Sequence, residues 1–262
     1  MGIERKSYPK KIAHEASKAV EQGIAEIKIV GVKRAIQEVE YIDCGIEFIV
    51  TDEPESEIVS MLIKGEVDAV VRGTLSARKA MVEIKKAFSL DKLHRVAILE
   101  AHDHTVFFLA PVGIDEGENV EDKVRLIEGG VKLQKLLGIK PIIAVLSGGR
   151  LEDYGRSPLI DELFEEAERV VRVARERVGE EIYHQGILIE DAIKKASMVI
   201  APNGVIGNII FRVLTLIGGG NAFGAPIIDI FPKVFVDVSR AMENYLDSIV
   251  LSAALANLEG IT

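Results

Sequence analysis

Short aliphatic, mostly β-branched runs recur along the chain, at residues 27–30, 46–50, 69–71, 96–99, 106–109, 142–146, 198–200 and 234–236, and stretches of helical periodicity separate most of them. Strands that alternate with helices form a largely parallel sheet covered by helices, which places the chain in the α/β class. The clearest helix is expected over 157–178, where Leu159, Ile160, Leu163, Phe164, Ala167, Val170, Val171 and Ala174 recur at three-to-four spacing. Ser157 ahead of Pro158 reads as its N-cap, and Asp161 and Glu162 lie where the helix dipole favours negative charge. One interval breaks the alternation. Between 96–99 and 106–109 the chain is too short for a crossover helix, so an antiparallel hairpin is expected there, and with it the junction of two α/β domains.

A length of 262 residues, 48% of them hydrophobic, suits one large or two small domains with a substantial core. The 41 Asp and Glu outnumber the 32 Lys and Arg, and the resulting charge of −9 disfavours a nucleic-acid partner. The longest apolar stretch, 205–217, is interrupted by Asn208 and Arg212 and is shorter than the roughly 18 residues of a spanning helix, so no membrane segment is expected. The first residues lack the apolar core of a secretory signal, and a cytoplasmic location is expected. The single cysteine, Cys44, sits among apolar neighbours and reads as an inert small hydrophobe.

Ligands of open α/β sheets bind beyond the carboxyl ends of the strands. The residues that follow the apolar runs are polar or glycine: Arg72-Gly73-Thr74, Ser147-Gly148-Gly149-Arg150, Pro202-Asn203-Gly204 and Ser239-Arg240. Glycine lets a backbone approach a ligand, helix starts offer free N–H groups to an anion, and Arg72 and Arg240 could grip phosphate or carboxylate bidentately. The plainer reading is that such loops join strands to helices in every α/β protein. Asn203 is then a helix cap and Gly207 a point of close packing. Neither a Walker A motif nor Gly-x-Gly-x-x-Gly occurs, and no Gly-x-Ser-x-Gly elbow supports a serine hydrolase. His102 and His104 lack further ligands nearby in sequence, so no metal site is expected. The acidic stretch 112–119 reads as a solvated surface loop.

These segments resemble, in order along the chain, the phosphate acetyl/butyryl-transferase superfamily. Residues 67–73 resemble the strand and glycine loop of that fold, 144–157 its "LSFST…GS" segment, and 185–192 its "DGELQFDAA". Pro202-Asn203-Gly204-Val205-Ile206-Gly207-Asn208-Ile209 is similar to "PDLNTGNI", and Asp237-Val238-Ser239-Arg240 to "DLSRG". The run 201–226 looks closest to the MtxX family of methanogens, described as methyltransferase subunit X. The resemblance implies a two-domain, three-layer α/β/α sandwich of the isopropylmalate-dehydrogenase-like type. Residues 1–92 and 231–262 would form one domain and 93–230 the other, with a ligand cleft between them, and the protein would be a homodimer.

By the same resemblance, Ser239 and Arg240 match the family's catalytic serine and arginine, the arginine holding phosphate while a base helps deprotonate the thiol of coenzyme A. Asp247 stands in for the family's catalytic aspartate. Arg72, Gly73, Ser147, Gly148, Asn203, Gly204, Gly207 and Asn208 are the expected ligand-binding set, with coenzyme A or phosphate as ligand. The family's "PD" is Pro202-Asn203 here, and the second asparagine position is Val205, so one loop has lost a carboxylate and an amide. The leading expectation is a transferase that binds a phosphorylated or coenzyme-A-like ligand. The alternative is a non-catalytic or partner-dependent subunit of a methanogen methyltransferase system, since neither a glycine-rich S-adenosylmethionine loop after the first strand nor an Asp-x-His-x-x-Gly corrinoid motif is present.

Overall fold

The computed structural model describes residues 1–4, 9–42, 45–242 and 244–259; Cys44 lies outside the described residues. In chain order the elements are β1 (Gly2–Ile3), α1 (Pro9–Glu21), β2 (Lys28–Gly31), α2 (Lys33–Ile36), β3 (Glu47–Val50), α3 (Pro54–Lys64), β4 (Ala69–Val71), α4 (Ala77–Phe88), β5 (Ala97–Glu100), β6 (Val106–Ala110), α5 (Val120–Leu136), β7 (Ile142–Leu146), α6 (Pro158–Val178), β8 (Glu181–Gly186), α7 (Ile189–Lys195), β9 (Met198–Ile200), α8 (Gly204–Arg212), β10 (Asn221–Pro226), β11 (Val234–Asp237) and α9 (Leu246–Glu259). They group into two compact units, Met1–Leu93 with Phe223–Thr262, and His94–Ala222.

In the first unit β1, β2 and β3 run parallel in that order. Strand β4 pairs in parallel with β11, Val71 opposite Val236, and β10 runs antiparallel to β11. Ile58, Leu62, Leu75, Ile84 and Phe235 are buried together at its centre. Local sequence sets the helix ends: the Ser76 hydroxyl accepts the Lys79 N–H to start α4, and Gly65 adopts the left-handed conformation that stops α3. Helix α9 has too few polar positions to present a wet face, and it packs on α1, β4 and β11.

In the second unit the order is β5-β6-β9-β7-β8, with only β5 and β6 antiparallel. These two form the hairpin that the short 100–105 interval demanded. Helix α6 begins at the Ser157 cap and ends at left-handed Gly179, and it buries Ala167, Val170, Val171 and Ala174. Helices α5 and α6 pack together, and α6 also lies on β7 and β8.

Besides the two-residue β1, strands β8 and β10 fall where no β-branched run announced them. Strand β8 is Glu-Ile-Tyr-His-Gln-Gly and β10 is Asn-Ala-Phe-Gly-Ala-Pro, so their strand state comes from partners already in place rather than from propensity. The parallel strands put their carboxyl ends on one edge of each unit. Arg72 and Val238 leave that edge in the first unit, and Pro111, Ser147 and Ala201 in the second.

Candidate functional site

The first unit brings Arg72, Gly73, Ser239 and Arg240 to the ends of two adjacent strands. Because Val71 lies opposite Val236, Arg72 comes level with Asp237. The guanidinium of Arg72 is 3% exposed and donates to the Asp237 carboxylate and to the carbonyls of Leu75 and Val238. It fastens the loop after β4 to the end of β11, and its bidentate capacity is spent on protein rather than turned to solvent. Gly73 has a φ of +63°, and a Cβ there would lie 2.1 Å from the Gly2 carbonyl oxygen, so only glycine lets the loop pass β1. The Thr74 hydroxyl accepts the Glu4 N–H at 2.9 Å.

Arg240, by contrast, is 54% exposed, and among the described residues its ion-pair partner is Glu4 at 3.8 Å. That contact is long and solvated, so an incoming phosphate would compete with it on good terms. The Ser239 oxygen accepts the Ala241 N–H at 3.2 Å, which leaves its own proton available for donation. Asp247 lies in the first turn of α9 and accepts from the Asn244 amide at 2.7 Å, while the Asn244 oxygen accepts the Leu246 N–H. Tyr245 is buried in this region and was not foreseen. Its hydroxyl has no hydrogen-bond partner among the described residues, and burial pushes the phenol above its ordinary range against the pull of the Arg72 and Arg240 charges.

In the second unit the 203–208 residues serve local architecture. The Asn203 side chain accepts the Ile206 N–H at 2.9 Å and caps α8. A Cβ on Gly204 would lie 1.7 Å from the Gly113 carbonyl oxygen, and one on Gly207 would lie 1.8 Å from that of Pro111. The Asn208 amide donates to the Val112 carbonyl at 2.9 Å. Asn203 starts α8, and the other three clamp it onto the 111–116 loop. That loop is not the fully solvated surface its acidic sequence suggested: Glu116 is buried, accepting from the Arg95 side chain at 2.6 Å and from the Gly113 N–H at 3.2 Å. A buried carboxylate needs such partners, and the arginine that supplies them stands 21 residues away, outside any local pattern.

Ser147 and Gly148 follow β7. The Ser147 N–H donates to the Gly186 carbonyl, and a Cβ on Gly148 would lie 2.7 Å from Leu163 of α6. His102 and His104 occupy the hairpin turn, where His104 pairs with Glu100. Among the described residues no three His, Cys, Asp or Glu side chains come together in a way that could hold a metal ion, and no helix is long and apolar enough to cross a membrane.

No family model matches the chain. It is 41% identical over 258 residues to the "Putative methyltransferase mtx subunit X" of Methanosarcina mazei, spanning 98% of this chain and 90% of that protein. The protein of the same name from Methanosarcina barkeri is 41% identical over 248 residues, 95% of this chain and 90% of its own. Among solved structures, a branched-chain phosphotransacylase from Enterococcus faecalis superposes with a TM-score of 0.71 at 18% identity, covering 95% of each chain. A phosphotransacetylase from Streptococcus pyogenes gives 0.68 at 16% identity, over 95% of this chain and 91% of the other. At such low identity these structures show the α/β fold of the phosphotransacylases and nothing of the chemistry. The two-fifths identity that runs along nearly the whole chain shows more: the chain belongs to the MtxX family, the family of the proteins named "Putative methyltransferase mtx subunit X".

Proposed function

We propose that this protein is a transferase of the phosphotransacylase fold that takes a phosphorylated or coenzyme-A-like ligand at the strand-end loop bearing Ser239 and Arg240. The observation that carries this reading is the contrast between two arginines at one sheet edge: Arg72 buried and bonded to three protein acceptors, Arg240 exposed with Glu4 at 3.8 Å as its ion-pair partner among the described residues. A rigid anchor at the same sheet edge as an exposed guanidinium suits anion capture, because less ordering remains to be done on binding. In acyl transfer Arg240 would stabilise charge on the phosphate, and a base near Ser239 would take the thiol proton. Asp247 is the proposed base, positioned by Asn244.

The test is thermal denaturation with coenzyme A, acetyl phosphate, inorganic phosphate or S-adenosylmethionine, on the wild type and on Arg240→Ala. Ligand at about 100 times its Kd adds roughly 2.7 kcal/mol, which for a chain of this size raises Tm by about 5–10 °C. A rise with coenzyme A or phosphate that disappears in Arg240→Ala supports the proposal; an equal rise in both proteins refutes it.

A second reading, a subunit that works beside another chain, is favoured by one surface. Val205, Ile209, Val213 and Ile217 recur every fourth residue along α8 and the π-helical turn that continues it, and all four are exposed. An apolar stripe of this kind is unusual on a protein that works alone. A second copy of this chain is the proposed occupant, as the homodimeric expectation requires, and a methyltransferase partner is the alternative. Light scattering on the purified chain separates the two: a dimer supports the first, and a monomer that shifts mass only with a partner supports the second.

A further inference from the structure

The second unit holds three side chains that no sequence motif joins. Ser147 follows β7, His184 lies on the neighbouring strand β8, and Glu168 lies on α6, which packs across both. The Ser147 Oγ is 2.8 Å from His184 Nε2, and His184 Nδ1 is 2.8 Å from Glu168 Oε1. A carboxylate only accepts, so the Nδ1–H of the neutral ring donates to Glu168 and Nε2 is left as the acceptor for the serine hydroxyl, closer than its other acceptor, the Gly149 carbonyl at 3.4 Å. The imidazole is 4% exposed and Phe164 meets it edge-on at 4.3 Å, while Glu168 is 54% exposed. The ring is thereby fixed in place with its orienting carboxylate open to water.

We propose that Ser147, His184 and Glu168 form a reactive serine centre, with Ser147 as nucleophile, His184 as its base and Glu168 as the residue that orients the histidine. Such centres are recognised by geometry and role rather than by chain order or a surrounding motif. The amide N–H groups of Gly148 and Gly149 meet no acceptor among the described residues, and they lie directly after the nucleophile, where a developing oxyanion needs donors. A groove of about 540 Å³ lined by Tyr154, Phe164, Glu165, Glu168, Arg169 and Arg172 meets the relay at Glu168. Arg169 and Arg172 have no ion-pair partner among the described residues. Two arginines and two glutamates balance in that groove, so the substrate class is set by the nucleophile and its burial: a small acyl ester or thioester.

In the reaction the Ser147 oxygen bonds to the acyl carbon as its proton passes to His184 Nε2. The tetrahedral intermediate then collapses, the carbon–oxygen or carbon–sulfur bond breaks, and His184 returns the proton to the leaving alkoxide or thiolate. Water repeats both steps on the acyl-serine and releases the carboxylic acid, with no change of oxidation state.

Ser147 is only 2% exposed, so the probe must be small. Diisopropyl fluorophosphate phosphorylates an activated serine with loss of fluoride, and mass spectrometry locates the adduct. The expected result is one adduct per chain, mapped to Ser147 and absent from Ser147→Ala. The rate should fall on the order of 100-fold in His184→Gln and by a smaller factor in Glu168→Gln. Melting curves show that each variant is folded, and His184→Asn replaces His184→Gln if the latter is not. No adduct on the wild type, or an adduct that forms as fast without the imidazole, overturns the proposal.

Discussion

Replacing Arg72 by Met tests whether this arginine is an anchor or a ligand reader. The side chain is 3% exposed and holds three protein acceptors, one of them the Asp237 carboxylate, itself only 11% exposed. Methionine keeps much of the length and removes the charge, so Asp237 keeps the Val238 N–H but loses its guanidinium, and the carbonyls of Leu75 and Val238 lose that donor inside the protein. Breaking a buried pair from one side costs about 3–5 kcal/mol, a large share of the roughly 5–15 kcal/mol that holds a domain folded. For a chain of this size that is a fall in Tm of roughly 6–20 °C. Urea denaturation with Asp237→Asn and the double variant completes a cycle, and the anchoring role predicts a coupling of about 1–3 kcal/mol between the two sites. A cost below about 1 kcal/mol for Arg72→Met, with no coupling, would refute the anchoring argument and return Arg72 to the ligand-binding set.

Gly207→Ala should lower stability by about 1–3 kcal/mol in urea denaturation, despite a gain of about 1 kcal/mol in helix propensity, because the new Cβ meets a backbone oxygen that cannot rotate away. A neutral result would mean that α8 can lift off its loop without cost. Tyr245→Phe should be neutral or stabilising by about 1 kcal/mol, since it deletes a buried hydroxyl without a partner among the described residues. Its phenol pKa is raised in the folded protein, so the stability it contributes is complete below the unfolded value of about 10 and is lost as the pH rises beyond it. Denaturation curves on either side of pH 10 should show that loss in the wild type and a smaller one in Tyr245→Phe. Ile217→Glu, on the most exposed residue of the α8 stripe, should leave Tm unchanged at high dilution and dissociate a dimer in light scattering. An unchanged dimer places its interface elsewhere.

The class of fold and most of its punctuation are legible in the chain's own residue pattern. Aliphatic runs located the buried parallel strands because such strands must be apolar on both faces. Ser157-Pro158, Asn203 and the short 100–105 interval marked a helix start, a second helix start and the hairpin, since caps and connection lengths act within a few residues. Strand order, the burial of Glu116 against Arg95, the closed state of Arg72 and the meeting of Ser147 with His184 and Glu168 came only from the tertiary structure. Each of these joins residues that are distant in sequence or carried on different elements, and their spacing along the chain leaves no periodic trace. What a side chain faces, and so whether an arginine anchors a strand or waits for an anion, is decided by which strand end folds beside it.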